Sequence, residues 1–259
     1  MSSNHFDNSK IKYAPEIMRK FREIYQDVFA EKAESFKFGE QWHGFSMLNQ
    51  VHKVHSFEYE NVYDFTEKPE FAELAENFRR MKKLQKLRKI AVLSHVSFEG
   101  RTSFITSLAK YCAQKLRMRV LLLDYTFTQS PITKALKIKP YFGTRDVIDG
   151  SIPLRNVLFI SELDDYAVIP STSGFPRDHK TAGRFPQFLA KTEGLFDLIL
   201  VDTPSFRDYP HSMKSLAKYL DGVILLKSDN VPGKKFSAML KSLTKDNINV
   251  IGWIENTNN

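Results

Sequence analysis

The chain has 259 residues, of which 42% are hydrophobic and 26% are charged, and this length suits one α/β core with an extension. A single cysteine, Cys112, excludes a disulfide framework and a thiolate metal site, which fits a reducing compartment. No apolar run reaches the roughly 18 residues of a membrane span, and the polar N-terminus does not resemble a signal peptide. We therefore expect a cytoplasmic protein.

The net charge of +8 is concentrated in one stretch, because residues 67–119 hold 13 basic and 5 acidic side chains. The densest part is 79–89, with seven basic residues and no acidic one. Such a run is most often a solvated helix face. The alternatives are contact with an anionic membrane surface, an acidic neighbouring subunit or nucleic acid. Nucleic acid is the weakest of these, because no known nucleic-acid-binding module accompanies the run.

Residues 1–66 form a predicted N-terminal extension. The first twelve residues are polar, and residues 14–34 have the spacing of an amphipathic helix. Residues 36–65 carry eight aromatic side chains without clean periodicity, so we interpret them as an extended arm that packs on the core or on a partner. The arm also contains three histidines, His43, His52 and His55. No carboxylate or cysteine completes a recognisable ligand set with them, and we assign no metal there.

A second helix is predicted to begin at Pro69, and apolar strands then alternate with amphipathic helices to the end of the chain. Continuous β-branched and leucine runs are typical of strands buried on both faces. We therefore expect residues 67–259 to form an α/β domain, with a mostly parallel sheet flanked by helices on both faces. The predicted strands are 90–93, 120–123, 157–160, 167–170, 198–201, 222–226 and 250–254. The predicted helices within this domain are 102–117, 185–192, 211–219 and 235–244.

The first of these strands leads through a short loop into a helix, which is the context of a phosphate-binding P-loop. Such a loop has the pattern G-x-x-x-x-G-K-[ST]. Gly100 and Thr102 occupy the second glycine and the hydroxyl positions, whereas Arg101 replaces the lysine and His95 replaces the first glycine. The frame of a P-loop is present with altered chemistry.

Two aspartates, Asp124 and Asp202, each follow four apolar residues of a predicted strand. Sheets of this kind bind ligands at the carboxyl ends of their strands, and Mg²⁺ on a nucleotide takes oxygen ligands near the phosphates. A lone aspartate at a strand end is often only a helix cap or a turn former. Two of them after a strand, loop and helix of P-loop type favour a magnesium–nucleotide site.

Five segments occur in an order that matches a known family. They are 76–82 (ENFRRMK), 143–150 (GTRDVIDG), 168–174 (VIPSTSG), 196–204 (FDLILVDTP) and 251–256 (IGWIEN). In turn they resemble the E-A-[YF]-R-x-L-R oligomerisation helix, G-L-x-D-V-L-x-G, V-L-P-A-G, Y-D-x-[IV]-[IL]-[IL]-D-T-P-P and the closing G-x-V-x-N strand of bacterial tyrosine kinases (BY-kinases). These kinases govern capsule and exopolysaccharide synthesis and are ParA/MinD-like P-loop ATPases. The resemblance covers about residues 67–256.

The resemblance implies ATP and Mg²⁺ as ligands, with Thr102 and Asp202 holding the metal. The residues it assigns to the nucleotide site are Gly100, Arg101, Thr102, Ser103 and Asn256. The residues it assigns to a subunit contact are Glu76, Arg79 and Lys82.

The departures from the family lie where ATP chemistry would occur. Arg101 replaces the lysine that would reach the phosphates, and its longer, branched guanidinium cannot take the same compact position. The family's D-x-D-x-R after the second strand is here DYTFT at 124–128, and no tyrosine cluster follows Asn256. Larger side chains replace small ones at three loop positions, His95, Ser97 and Phe98.

The leading hypothesis is a pseudokinase-like, non-catalytic scaffold or regulator of bacterial cell-surface polysaccharide synthesis or export. Its expected partners are a membrane-embedded polysaccharide co-polymerase or another export component, a second copy of the chain, and an anionic membrane met by residues 79–89. We expect it in the cytoplasm, peripheral at the inner face of the cell membrane. We assign it no working cofactor, and we expect Phe98, Arg101 or Phe127 to fill part of the pocket for ATP and Mg²⁺.

Two alternatives stay open. An active but atypical ATP-dependent tyrosine kinase or ATPase would use Arg101 electrostatically, with Thr102 and Asp202 on Mg²⁺ and Asp124 as base or second metal contact. A ParA/MinD-type positioning ATPase would instead use the basic helix on a membrane or on DNA.

Overall fold

Eight strands form one sheet in the part of the chain that this computed structural model describes, namely residues 38–126, 130–172 and 179–256. The strands are β1 (His52–Val54), β2 (Lys89–Ser94), β3 (Val120–Asp124), β4 (Phe159–Ser161), β5 (Ala167–Ile169), β6 (Leu198–Asp202), β7 (Gly222–Ser228) and β8 (Val250–Asn256). Their spatial order is β1-β4-β5-β3-β6-β2-β7-β8. Every pairing is parallel except that of β4 with β5.

The central strands are buried on both faces. All residues of β3 and β6 are buried, and successive side chains of a strand point to opposite faces, so both faces of the sheet are covered. The helices are α1 (Pro69–Gln85), α2 (Arg101–Gln114), α3 (Pro131–Ala135), α4 (Thr144–Ile148), α5 (His179–Thr192), α6 (Pro210–Ala217) and α7 (Gly233–Lys245). The predicted fold class, a mostly parallel sheet with flanking helices, is confirmed.

The segment before α1 belongs to the core of this structure. The chain divides into compact units between Lys37 and Phe38, so residues 38–66 group with the α/β domain and not with the start of the chain. Strand β1 extends the sheet by pairing with β4, with Val54 opposite Ser161. Trp42 is fully buried. The sequence placed the domain boundary later, at residues 66 and 67.

The turn between β4 and β5 fixes this segment through two aspartates. The Asp164 carboxylate accepts hydrogen bonds from the Phe57 amide (2.8 Å) and the Tyr59 hydroxyl (2.7 Å). The Trp42 indole donates to the Asp165 carbonyl at 3.2 Å. Buried aromatic rings and satisfied polar groups together explain how an aromatic stretch without periodicity packs as a unit.

All seven predicted strands and all five predicted helices of the α/β domain are present, with ends shifted by a few residues. The short helices α3 and α4 and the edge strand β1 were not predicted. The amphipathic helix predicted at 14–34 lies outside the described residues. None of the helices in the described ranges is long and apolar enough to cross a membrane.

Candidate functional site

The sheet order brings the three predicted strand ends together. Strands β3, β6 and β2 are neighbours, and Asp124 lies directly opposite Asp202 in the β3–β6 pairing. The loop from Ser94 to Gly100 follows β2 on the other side of β6 and leads into α2. The frame expected of a P-loop site is therefore assembled.

Arg101 turns its side chain into the site. Only 8% of the residue is exposed, and its Nε lies 3.3 Å from Asp202 Oδ1. The guanidinium also donates to the hydroxyl of Ser94. Of the three side chains expected to fill part of the pocket, Arg101 contacts Asp202 and Ser94 and lines the cleft beside the loop. Phe98 is 95% exposed at the loop tip, and Phe127 lies outside the described residues.

Asp202 is fully enclosed by these contacts. Its second oxygen accepts a hydrogen bond from the Thr102 hydroxyl at 3.0 Å. Burial raises the pKa of Asp202, whereas the Arg101 guanidinium opposes that shift. The two groups assigned to Mg²⁺ are thus bonded to each other, and a protein cation already neutralises the carboxylate. As placed, these residues do not fit a magnesium ion.

The Asp124 carboxylate is held by hydrogen bonds within the fold. The carboxylate is fully buried and accepts hydrogen bonds from the amide and hydroxyl of Thr126 and from the amide (3.1 Å) and hydroxyl (2.9 Å) of Thr133. Burial first, and then the nearby Asp202, raise the pKa of Asp124 to about 6. With every oxygen engaged, Asp124 ties β3 to α3 and is not placed as a base or a second metal contact.

Asn256, at the end of β8, contacts the loop after β2 at Glu99 and Gly100. Gly100 has φ of +84°, and a Cβ there would lie 2.8 Å from Asn256 Nδ2, so a larger residue would be strained and would have to displace the Asn256 side chain. The Asn256 amide donates to the carbonyl of Glu99 at 3.0 Å. Asn256, which the resemblance assigns to the nucleotide site, is therefore bonded to the loop itself.

The sequence analysis missed Glu99. Its carboxylate is buried and accepts hydrogen bonds from the amides of Val96 (2.8 Å) and Ser228 (3.2 Å), which braces the loop against β7. In a P-loop, backbone amides of the loop donate hydrogen bonds to phosphate. Here the Val96 amide donates to the Glu99 side chain instead. No pattern in the sequence indicated this role, since Glu99 is the buried residue of a loop that is otherwise partly exposed.

Two of the clefts that border the loop are lined by Gly100. A cleft of about 780 Å³ is lined by Arg101, Thr102, Ser103 and Lys134, and by residues 60–62 of the N-terminal segment. A smaller recess of about 240 Å³ lies between Gly100 and Asn256 and is walled by the rings of Phe65, Phe71 and Phe104. The space of a nucleotide site persists beside the loop, although its polar groups are engaged elsewhere.

The N-terminal segment also binds α2. Ser103 Oγ accepts the amide of Tyr63 at 3.1 Å, and Ser107 Oγ accepts that of Phe65 at 2.9 Å. Lys110 pairs with Asp64 at 2.7 Å. Ser103, predicted to bind nucleotide, thus anchors the aromatic segment that was expected to pack on the core or on a partner.

The predicted contact residues lie on α1. Glu76 and Arg79 form an exposed ion pair with each other at 2.7 Å between Oε2 and Nε. Lys82 is half-buried, and burial lowers its pKa, with Asp197 opposing that shift. Glu76 and Arg79 are available on the helix surface, whereas Lys82 is turned towards the sheet.

Two of the three histidines of the predicted arm have protein partners. His52 stacks on Phe159 with ring centroids 4.6 Å apart, and His55 lies 2.9 Å from Glu162. Throughout the described ranges, no group of three or more His, Cys, Asp or Glu side chains is placed to hold a metal ion.

Among known proteins, solved structures resemble this chain. No protein-family model and no curated protein sequence matches the chain. The VpsO kinase domain is 22% identical and covers 75% of this chain and 99% of its own, with a TM-score of 0.63. The kinase domain of the Escherichia coli tyrosine kinase ETK is 18% identical and covers 76% and 81%, with a TM-score of 0.64.

A septum site-determining protein also matches. MinD from Pyrococcus horikoshii, complexed with Mg-ADP, is 19% identical and covers 65% of this chain and 69% of its own, with a TM-score of 0.53. At these identities the likeness establishes the fold, which is that of bacterial tyrosine kinase domains and of MinD-like P-loop ATPases.

Proposed function

We propose that this protein is a non-catalytic scaffold or regulator of bacterial cell-surface polysaccharide synthesis or export. It acts by contact with a membrane-embedded co-polymerase or another export component, at the inner face of the cell membrane. The observation that carries the proposal is the buried ion pair between Arg101 and Asp202, at 3.3 Å.

The ion pair supports a site without catalytic activity, because it engages with each other the two charged groups that catalysis would need. A phosphate-binding cation must face the loop, and a metal-binding carboxylate must offer free oxygens. Arg101 faces Asp202 and Ser94, and the remaining oxygen of Asp202 accepts the Thr102 hydroxyl. Nucleotide binding would have to break these contacts and leave buried groups unpaired, which is unfavourable.

Titration with Mg·ATP tests this proposal. Isothermal titration of the full chain should give no binding in the micromolar range, and a phosphotransfer assay should stay at background. Asp202→Asn should leave both results unchanged. Micromolar binding, with turnover that Asp202→Asn abolishes, would overturn the proposal.

An atypical active kinase or ATPase is the second candidate. It is favoured by the cleft of about 780 Å³ that lies beside Arg101 and Thr102. Arg101→Lys separates the two candidates. Under the scaffold proposal this variant stays inert, because Asp124 is bonded to Thr126 and Thr133, whereas restored ATP turnover would favour the active candidate.

We further propose that Glu76, Arg79 and Lys82 on α1 form a contact with a second copy or with the membrane-embedded partner. Glu76 and Arg79 present opposite charges on an exposed helix surface, which suits a self-complementary contact. Arg79→Glu should raise the dissociation constant of self-association at least tenfold in sedimentation velocity. Lys234→Glu, the same charge change at an exposed position of α7, is the control. A wild-type chain that sediments as a monomer at every concentration would contradict the self-contact.

A further inference from the structure

The C-terminal end of α1 carries an apolar side chain among exposed cations. Leu84 is 83% exposed, although leucine is one of the residues most often buried in proteins. Lys83 precedes it, and Lys86 ends the helix with φ of +55°. Arg88 follows in the connection to β2, and all three cations are exposed.

This end of α1 lies at the amino ends of the strands. The amides of Arg88 and Lys89 donate to Asp221 Oδ2 at 2.6 and 2.8 Å, which places the connection from α6 to β7 beside them. That connection contributes exposed Lys218 and Tyr219, the latter 41% exposed. The loop of Arg101 follows the carboxyl end of β2, so the two features lie at opposite edges of the sheet.

The carboxylates of this edge are engaged by other cations. Lys89 lies 3.4 Å from Glu193 and 3.6 Å from Asp221, and Arg119 lies 3.5 Å from Asp197. Lys218 acts on the Asp246 carboxylate from a distance, but within the described ranges no carboxylate oxygen lies within 4 Å of a side-chain nitrogen of Lys83, Lys86, Arg88 or Lys218. The edge therefore has a positive surplus that is open to solvent.

We propose that this surface docks on an anionic phospholipid membrane. Its cations, Lys83, Lys86, Arg88 and Lys218, meet the headgroups, and Leu84 and Tyr219 enter the interface. Flexible lysines match diffuse surface charge, and each contributes measurably near an anionic leaflet. An exposed leucine gains from the acyl boundary of a membrane, whereas the phosphate backbone of a nucleic acid offers it nothing apolar.

This inference rests on the membrane location in the proposed function and deepens it, because it names a surface and a ligand that do not depend on the Arg101 site. It supplies a physical reason for a peripheral location. A failure of the membrane assay would leave the Mg·ATP result untouched, and the reverse also holds.

The test is co-sedimentation of the full chain with vesicles of phosphatidylcholine alone or with about a third phosphatidylglycerol, at low salt. We expect binding to the anionic vesicles only, and loss of most of it in 0.5 M salt, because the Debye length then falls well below about 10 Å. The double variant Lys83→Glu with Lys86→Glu should weaken binding at least tenfold. Leu84→Ala should weaken it a few-fold without changing the salt dependence.

The control is a double variant with the same charge change on α7, Lys234→Glu with Lys241→Glu, since both lysines are exposed. It should keep most of the binding if the named surface matters. Equal binding to both kinds of vesicle, or equal losses in the two double variants, would overturn the inference. Tighter binding to duplex DNA than to anionic vesicles would also overturn it and assign the surface to nucleic acid.

Discussion

Replacing Trp42 by alanine should lower the free energy of unfolding by about 3–5 kcal/mol, the usual cost of removing a large buried aromatic side chain. The indole is fully buried. It packs edge-on against Phe45 at 5.2 Å and Phe196 at 6.3 Å, and it donates to the Asp165 carbonyl at 3.2 Å. The variant would lose these ring contacts and leave a cavity beneath the segment that precedes α1. Urea denaturation followed by circular dichroism measures the change.

The chain contains its own matched control, because it has two tryptophans and the other is on the surface. Trp253 lies on the edge strand β8, is 56% exposed and meets the ring of Phe236 edge-on at 6.4 Å. Trp253→Ala should cost about 1 kcal/mol or less. If the two variants were equally stable, residues 38–66 would not belong to the cooperative core, and the predicted boundary between residues 66 and 67 would be supported.

The sheet could be predicted because most of its strands are runs of apolar residues that are recognisable in the sequence. Four or five consecutive apolar residues, as in β3 and β6, bury both faces of a strand, and few other structures explain such runs. Strand β1 has no such signal. It is three residues long (His52–Val54), half-buried throughout, and held by pairing with the distant β4. An edge strand of this kind depends on its partner more than on its own residues.

The positions of the site residues could be predicted, but the hydrogen bonds between them could not. Spacing along the chain identified Arg101, Asp124 and Asp202, because strand ends of a parallel sheet meet at one edge. Which donors each carboxylate accepts depends on side-chain directions set by distant residues. Thr133 decides the role of Asp124, and no pattern within β3 announces it.

Replacing Arg101 by methionine should lower the free energy of unfolding by about 3–5 kcal/mol, because Asp202 would stay buried without its countercharge. Asp202 is fully buried and Arg101 nearly so, which removes the solvent screening that weakens surface pairs. Asp202→Asn should also destabilise, since Arg101 then faces a neutral partner. The double variant should recover much of the loss, as replaced buried ion pairs often do.

The loss of unfolding free energy caused by Arg101→Met should depend on pH and should grow as the pH rises. Burial already raises the pKa of Asp202, and loss of the guanidinium raises it further above that of the unfolded chain. A carboxyl with a raised pKa in the folded state favours folding at low pH and loses that contribution as pH rises through the folded-state pKa. The difference between wild type and variant should therefore be small near pH 4 and grow towards pH 7.

A surface pair of the same atoms provides the control. Arg207 Nε lies 3.0 Å from Asp208 Oδ1, a distance close to that of the buried pair, but both side chains are largely exposed. Arg207→Met should change stability by less than about 1 kcal/mol at any pH. If Arg101→Met were as mild as Arg207→Met, Arg101 would be free to leave Asp202. Arg101 could then face a phosphate in the loop, and the case for a site without catalytic activity would lose its physical basis.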